Sequence, residues 1–268
     1  MKPLALFAFL LGTVAPAPAQ APQPKIQALI ITGQNAHNWR ATSPVQRKLL
    51  EDTGRFEVRI TEEFRGGGPE TLAPYDLVIL DYFERKKPEL RWGTRPDQAL
   101  LDFVRGGKGV VVFHFSTAAF EGWTEYEQMC GANWRPMNGH HSARHDFKVD
   151  IKDSDHPITR GMKASFAQPN DELYANLKWQ PANTYHVLAT AWDDHSLYKN
   201  AKQPIPGAGM NQPMLWTLEF GKGRVFTDAL GHDPDAMKSA GFIATYVRGC
   251  EWAATGKVTI PLPAEVAK

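Results

Sequence analysis

Apolar and polar positions along the chain follow two rhythms. Residues 26–32 (IQALIIT) form a short, mostly apolar run of the kind a strand buried on both faces produces, and 56–61 (FEVRIT), 75–81 (YDLVILD) and 109–115 (GVVVFHF) read as further strands. The last is the most β-branched and reads as a central strand. Helical spacing fills the gaps. Ser43-Pro44 reads as N-cap and first helical position, Val45, Leu49 and Leu50 share a face, and Gly54 follows the end. Residues 94–104 turn Leu100, Leu101 and Val104 to one side and stop at Gly106-Gly107, and residues 117–129 read as a further helix. Residues 131–183 are less regular, with one strand at 146–151. Strands are expected again at 186–191, 214–220 and 224–230, the last two joined by a tight turn at Gly221-Lys222-Gly223. Pro234 opens a final helix reaching about residue 254, and the Pro-rich tail after Gly256 reads as peripheral. This alternation predicts an α/β fold: a doubly wound, mostly parallel sheet with an antiparallel hairpin at one side. The stretch 193–213 is long enough for a lid or rim over a site.

The N-terminal residues stand outside that pattern. Lys2 precedes an apolar run over residues 4–14, and Ala17-Pro18-Ala19 supplies the small residues a signal peptidase needs. The expectation is a signal peptide over 1–19, a linker over 20–24 and one domain over 25–268. The apolar run is too short to span about 30 Å of hydrocarbon, so a periplasmic or secreted protein is expected, with no membrane association after cleavage. A net charge of +1 without clustered Lys or Arg gives no reason to expect a nucleic-acid partner. Cys130 and Cys250 fall in apolar, helix-like stretches and read as buried free thiols.

Ligands of open α/β sheets bind outside the carboxyl ends of the strands. Polar residues there include His37, Asn38 and Trp39 after the first strand, Asp81 and Tyr82 after the third, His114 and Ser116 at the central one, and His232-Asp233 after residue 230. A single histidine at a strand end is more often structural than catalytic, but three from separate strands at one edge point to a shared site. Asp81 is open between a site role and capping. The segment Gly139-His140-His141-Ser142-Ala143-Arg144-His145 holds further imidazoles, so a divalent metal such as zinc is open; its spacing matches no metal signature. Asp171-Glu172-Leu173-Tyr174 places two carboxylates side by side, which a helix would turn about 100° apart. Eight tryptophans, Trp39, Trp134 and Trp192 among them, offer flat faces suited to sugar rings. There is no G-x-S-x-G elbow, no phosphate loop and no G-x-G-x-x-G after the first strand.

Several blocks, in order and spanning nearly all of the chain after residue 25, resemble the ThuA-like (trehalose utilisation) family. They are Thr32-Gly33 with His37-Asn38-Trp39, Phe103-Val104-Arg105-Gly106-Gly107 leading into Val110–His114, Asp155-His156-Pro157-Ile158-Thr159-Arg160-Gly161, and Asp171-Glu172-Leu173-Tyr174. Gly221-Lys222-Gly223-Arg224-Val225, Gly231-His232-Asp233 and Trp252-Ala253-Ala254-Thr255-Gly256 complete them. The resemblance implies a flavodoxin-like fold similar to class I glutamine amidotransferases. Where those enzymes carry a nucleophilic cysteine, this chain has His114-Phe115-Ser116, so thiolate amide hydrolysis is not expected. Carried over by position, His37, His114, Asp171, Glu172 and His232 are the expected catalytic residues. Asn38, Trp39, Asp81, Tyr82, Ser116, His140, Tyr174 and Asp233 are expected around the substrate. His156, held extended before a proline, reads as structural. The expected partner is a small-molecule carbohydrate. The expected activity is isomerisation, elimination or hydrolysis of a sugar or keto-sugar, the alternative being a non-catalytic carbohydrate-binding protein.

Overall fold

A computed structural model describes residues 24–84 and 87–268. The expected signal peptide, and all of the expected linker but Pro24, lie outside the described residues. Five parallel strands form one half of a nine-stranded sheet: β1 (Ile26–Ile31), β2 (Phe56–Thr61), β3 (Leu77–Leu80), β4 (Gly109–Phe113) and β11 (Gly223–Asp228). Their order β2-β1-β3-β4-β11 is the doubly wound flavodoxin-like order. The hairpin through Gly221-Lys222-Gly223 is present, joining β11 to antiparallel β10 (Met210–Phe220). The antiparallel half then extends well beyond one hairpin. It adds β9 (His186–Asp193), β6 (His145–Ile151) and β7 (Ser165–Asp171), while β5 (Ala132–Asn133) and β8 (Lys178–Trp179) pair separately. The strand β7 lies in the stretch the pattern left irregular, because Gln168, Pro169 and Asn170 break its apolar alternation.

Alternation along β4 divides the core. Val111 and Phe113 face one side with Leu50 of α1 (Trp39–Asp52) and Phe242 and Tyr246 of α5 (Ala240–Thr255). Val110 and Val112 face the other, with Leu100 and Val104 of α3 (Thr94–Arg105) and Tyr126 and Met129 of α4 (Thr124–Cys130). A short α2 (Pro69–Leu72) packs beside α3. Cys250 and Cys130 are buried, free and in different clusters.

Several boundaries differ from the sequence expectation. The first helix begins at Trp39, with Asn38 as its cap, because Ser43 donates its hydroxyl to the Trp39 carbonyl from inside the helix instead of capping it. Residues 117–129 are not one helix: a 3₁₀ turn at His114–Ala118 comes first, and α4 starts only at Thr124. The final helix begins at Ala240, where the Ser239 side chain accepts from the Phe242 amide, after a 3₁₀ turn at Ala236–Lys238. The tail is not peripheral. Ile260 and Val266 are buried, Glu251 accepts from the amides of Thr259 and Ile260, and Lys163 donates its amide to the Val266 carbonyl. Buried Arg248 donates to the carbonyls of Pro157, Ile158, Arg160 and Ile260, so the turn around His156 and the tail share one anchor. No helix among the described residues is long and apolar enough to cross a membrane.

Close approach of α5 to β11 depends on Gly249, where an added Cβ would stand 2.1 Å from a ring carbon of Phe226. Gly249→Ala is expected to cost about 1–3 kcal/mol, read as a fall in Tm of several degrees by calorimetry. An unchanged Tm would mean that helix and strand do not meet this tightly.

Candidate functional site

Strands β1, β4 and β11 end at the same edge of the sheet, and each is followed within a few residues by a histidine. His114 follows β4 directly with φ +42°, a left-handed conformation that a non-glycine residue holds at a cost of about 1–3 kcal/mol. The imidazole is buried, its Nδ1 is 2.8 Å from the Ala229 carbonyl, and its Nε2 is 2.9 Å from the Tyr174 hydroxyl.

Glu172 arrives from the antiparallel half, one residue beyond β7. Its Oε2 lies 3.1 Å from His232 Nδ1, 3.3 Å from His37 Nε2 and 3.5 Å from His114 Nε2. Its Oε1 is 3.5 Å from Nδ1 of His141. Burial by itself would raise the Glu172 pKa, but the three imidazoles gathered around it outweigh this and hold the carboxyl far below the usual range. Burial holds His37 down to about 4, against the opposing pull of Glu172, so this imidazole is neutral near pH 7.

Asp171 faces away from this cluster. One oxygen accepts from the amides of Glu172 and His232, the other from the Gly231 amide and the Gln168 side chain. It positions Glu172 and His232 without touching the space between the imidazoles. The pair sits at a strand end, not on a helix, so neighbouring side chains point to opposite sides. Asp81 is likewise a support. Fully buried, it accepts from Asn35, Thr42 and Gln46, while burial pushes its carboxyl up to about 6. Asn35 in turn faces His37 Nδ1 with its Oδ1, at 3.3 Å.

Other residues expected around a substrate divide in two. Tyr174 touches the cluster through His114. Asn38 is exposed at the start of α1, and Asp233 lies at the rim, paired with Arg144. Trp39 is buried under the Arg40 guanidinium, Tyr82 stacks on Phe120 and donates to the Leu90 carbonyl, and Ser116 spends its hydroxyl on Leu80 and Tyr82. His140 turns from Glu172 and pairs with buried Asp193, which also accepts from Tyr198. That contact ties the shortened 194–209 loop to the segment beside the site. His141, its neighbour, is the histidine the sequence pattern did not single out; adjacency in an irregular loop leaves no signal for which imidazole turns inward.

Phe115 packs edge-on against His37, and Trp134 lies beside His141 and Tyr174, so an aromatic wall flanks the cluster. A hollow of about 500 Å³ lined by His156, Tyr185, His186 and Trp252 lies at the opposite end of the strands. It has volume but no such convergence of charge, so the chemistry is assigned to the Glu172 cluster. Among the described residues, His37, His114, Glu172 and His232 form the group whose donor atoms lie close enough to hold a metal ion, all within 4.8 Å of one another.

No curated protein matches this chain in sequence. A ThuA-like protein of Parabacteroides merdae is similar in structure, with TM-score 0.80 and 30% identity over 91% of this chain and 95% of that one. A ThuA-like protein of Bacteroides uniformis gives TM-score 0.66 at 19% identity, covering 91% and 97%. A β-galactosidase of Bacillus circulans sp. alkalophilus shares the fold at TM-score 0.51 and 16% identity, covering 88% of this chain but 32% of the enzyme. The model of the ThuA family, described as trehalose utilisation, matches residues 27–253, and this chain belongs to that family.

Proposed function

We propose that the chain is an exported enzyme acting on a sugar or keto-sugar, removing a proton next to a carbonyl to drive isomerisation or elimination. The observation that carries this reading is the meeting of three imidazoles on one Glu172 oxygen at 3.1, 3.3 and 3.5 Å. Such a centre suits a developing oxyanion, because its polar groups are held in place before charge appears. His141, more open to solvent and 3.5 Å from Glu172 Oε1, is the group suited to carry a proton in or out. Phe115 and Trp134 offer a face for the C–H side of a pyranose. Covalent hydrolysis is a poorer fit. Burial pushes the Cys130 thiol up to about 12 and Cys250 well above its ordinary value, and Ser116 is committed to backbone partners. The family's link to trehalose utilisation directs the choice of substrates.

Wild-type protein is expected to convert a trehalose-type disaccharide or its 3-keto derivative, followed by NMR. His114→Ala and His232→Ala should each lower turnover by about a hundredfold or more; wild-type rates in both would remove the cluster from the reaction. Saturable binding without product on long incubation would instead indicate a carbohydrate-binding protein. Asp171→Asn sets an NH₂ group against backbone amides. It should lower kcat more than it raises KM and cost about 2–4 kcal/mol of stability. For export, mass spectrometry of protein recovered from outside the cytoplasm should find Gln20 as the first residue; an intact Met1 would count against it.

A further inference from the structure

We propose that His37, His114, His232 and Glu172 are the ligands of a divalent transition-metal ion of the zinc class. The inference concerns the same cluster as the sugar reading, and it is tested without turnover.

Hydrogen bonding decides which ring nitrogens carry lone pairs. The Ala229 carbonyl can only accept, so His114 Nδ1, at 2.8 Å, bears a hydrogen, and in the neutral ring the lone pair falls on Nε2, toward Glu172. The same logic reaches His37 through a longer chain. Asp81 accepts from Asn35 Nδ2 at 2.8 Å, which fixes the amide orientation. Asn35 Oδ1 then accepts from the His37 amide and faces its Nδ1, so the lone pair falls on Nε2, 3.3 Å from the carboxylate. His232 Nδ1 is a buried nitrogen with no hydrogen-bond partner, although it is 3.1 Å from Glu172 Oε2. Lone pairs of two imidazoles aimed at carboxylate lone pairs repel unless a proton or a metal cation lies between them, and a metal satisfies all three imidazoles at once. The hydrogen of Tyr174, which meets the same His114 nitrogen, has Glu172 as its other acceptor.

The spacing fits. A four-coordinate ion with bonds of about 2.1 Å needs donors about 3.4 Å apart. The three oxygen-to-nitrogen distances, 3.1, 3.3 and 3.5 Å, bracket that value. Three imidazoles with one carboxylate select a first-row transition ion over calcium or magnesium, which prefer oxygen. Asp81–Asn35 and the Ala229 carbonyl are the outer partners that orient such ligands. When bound, the ion supplies Lewis acidity toward a carbonyl or hydroxyl oxygen.

Full-length mature protein, expressed with zinc, manganese or cobalt supplementation, is expected to carry about one equivalent of metal by elemental analysis. Chelated protein should rebind one Zn²⁺ or Co²⁺ per chain by calorimetry, and the cobalt form should show ligand-field bands of nitrogen-rich, low-coordinate geometry. His232→Ala and Glu172→Gln should weaken binding by a hundredfold or more. Asn35→Ala should weaken it about ten- to a hundredfold, and His186→Ala, on the far edge, should not change it. Because the wild-type spectrum needs no variant, a variant that fails to fold leaves the test intact. Less than a tenth of an equivalent after supplementation, with no binding heat for either ion, overturns the proposal, as does metal that His232→Ala retains at full affinity. A metal-bearing protein that converts no sugar removes the enzymatic reading alone; a metal-free one that converts sugar removes this inference alone.

Discussion

The carboxylate of Asp171 joins the two halves of the sheet where they meet the site. It ends β7 in the antiparallel half, yet two of its four hydrogen bonds go to the amides of Gly231 and His232, which follow β11 in the parallel half. Hydrogen bonds to a charged acceptor of this kind are worth about 1.5–3 kcal/mol each. Without them Glu172 and His232 would ride on separate loops, and a carboxylate shared among three imidazoles would have no fixed geometry. The left-handed Asn170 just before it makes the turn that presents both carboxylates at the strand end.

Around that clamp, the site is built from supports of unequal visibility. Asp81 holds Asn35, and Asn35 holds His37; the Ala229 carbonyl holds His114; Asp171 holds His232 and Glu172. Each residue between the imidazoles is therefore oriented by a buried polar partner that does not itself reach the centre. The arrangement occupies the edge of the sheet at which β1, β4 and β11 end. The strained turn after β4 sets His114 at that edge, with its imidazole buried.

Strands β1, β3 and β4 were legible because each is buried on both faces and reads as an apolar run, while edge strand β2 shows only alternation, with Glu57 and Arg59 exposed. That run pattern, with the winding rule for α/β sheets, also sent His37, His114 and His232 to one edge without coordinates. The antiparallel half was harder to read. Its strand β7 carries Gln168, Pro169 and Asn170, and nothing in that string distinguishes a strand from a loop. Trp39, Tyr82 and Ser116 sat beside the expected site in sequence, but packing turned them into the core, since a side chain's direction at a strand end follows from its neighbours.

Local sequence by itself determined the two periodicities, the turn at Gly221-Lys222-Gly223, and the placement of three histidines after three strands. Those features depend on backbone preference and on the burial of nearby residues. Tertiary structure alone decided that Glu172, and not Asp171, faces the imidazoles, that His141 turns in while His140 turns to Asp193, and that His114 Nδ1 meets the Ala229 carbonyl. These outcomes depend on contacts between residues as far as 135 positions apart. Such contacts exist only once the chain has closed, so no local pattern encodes them.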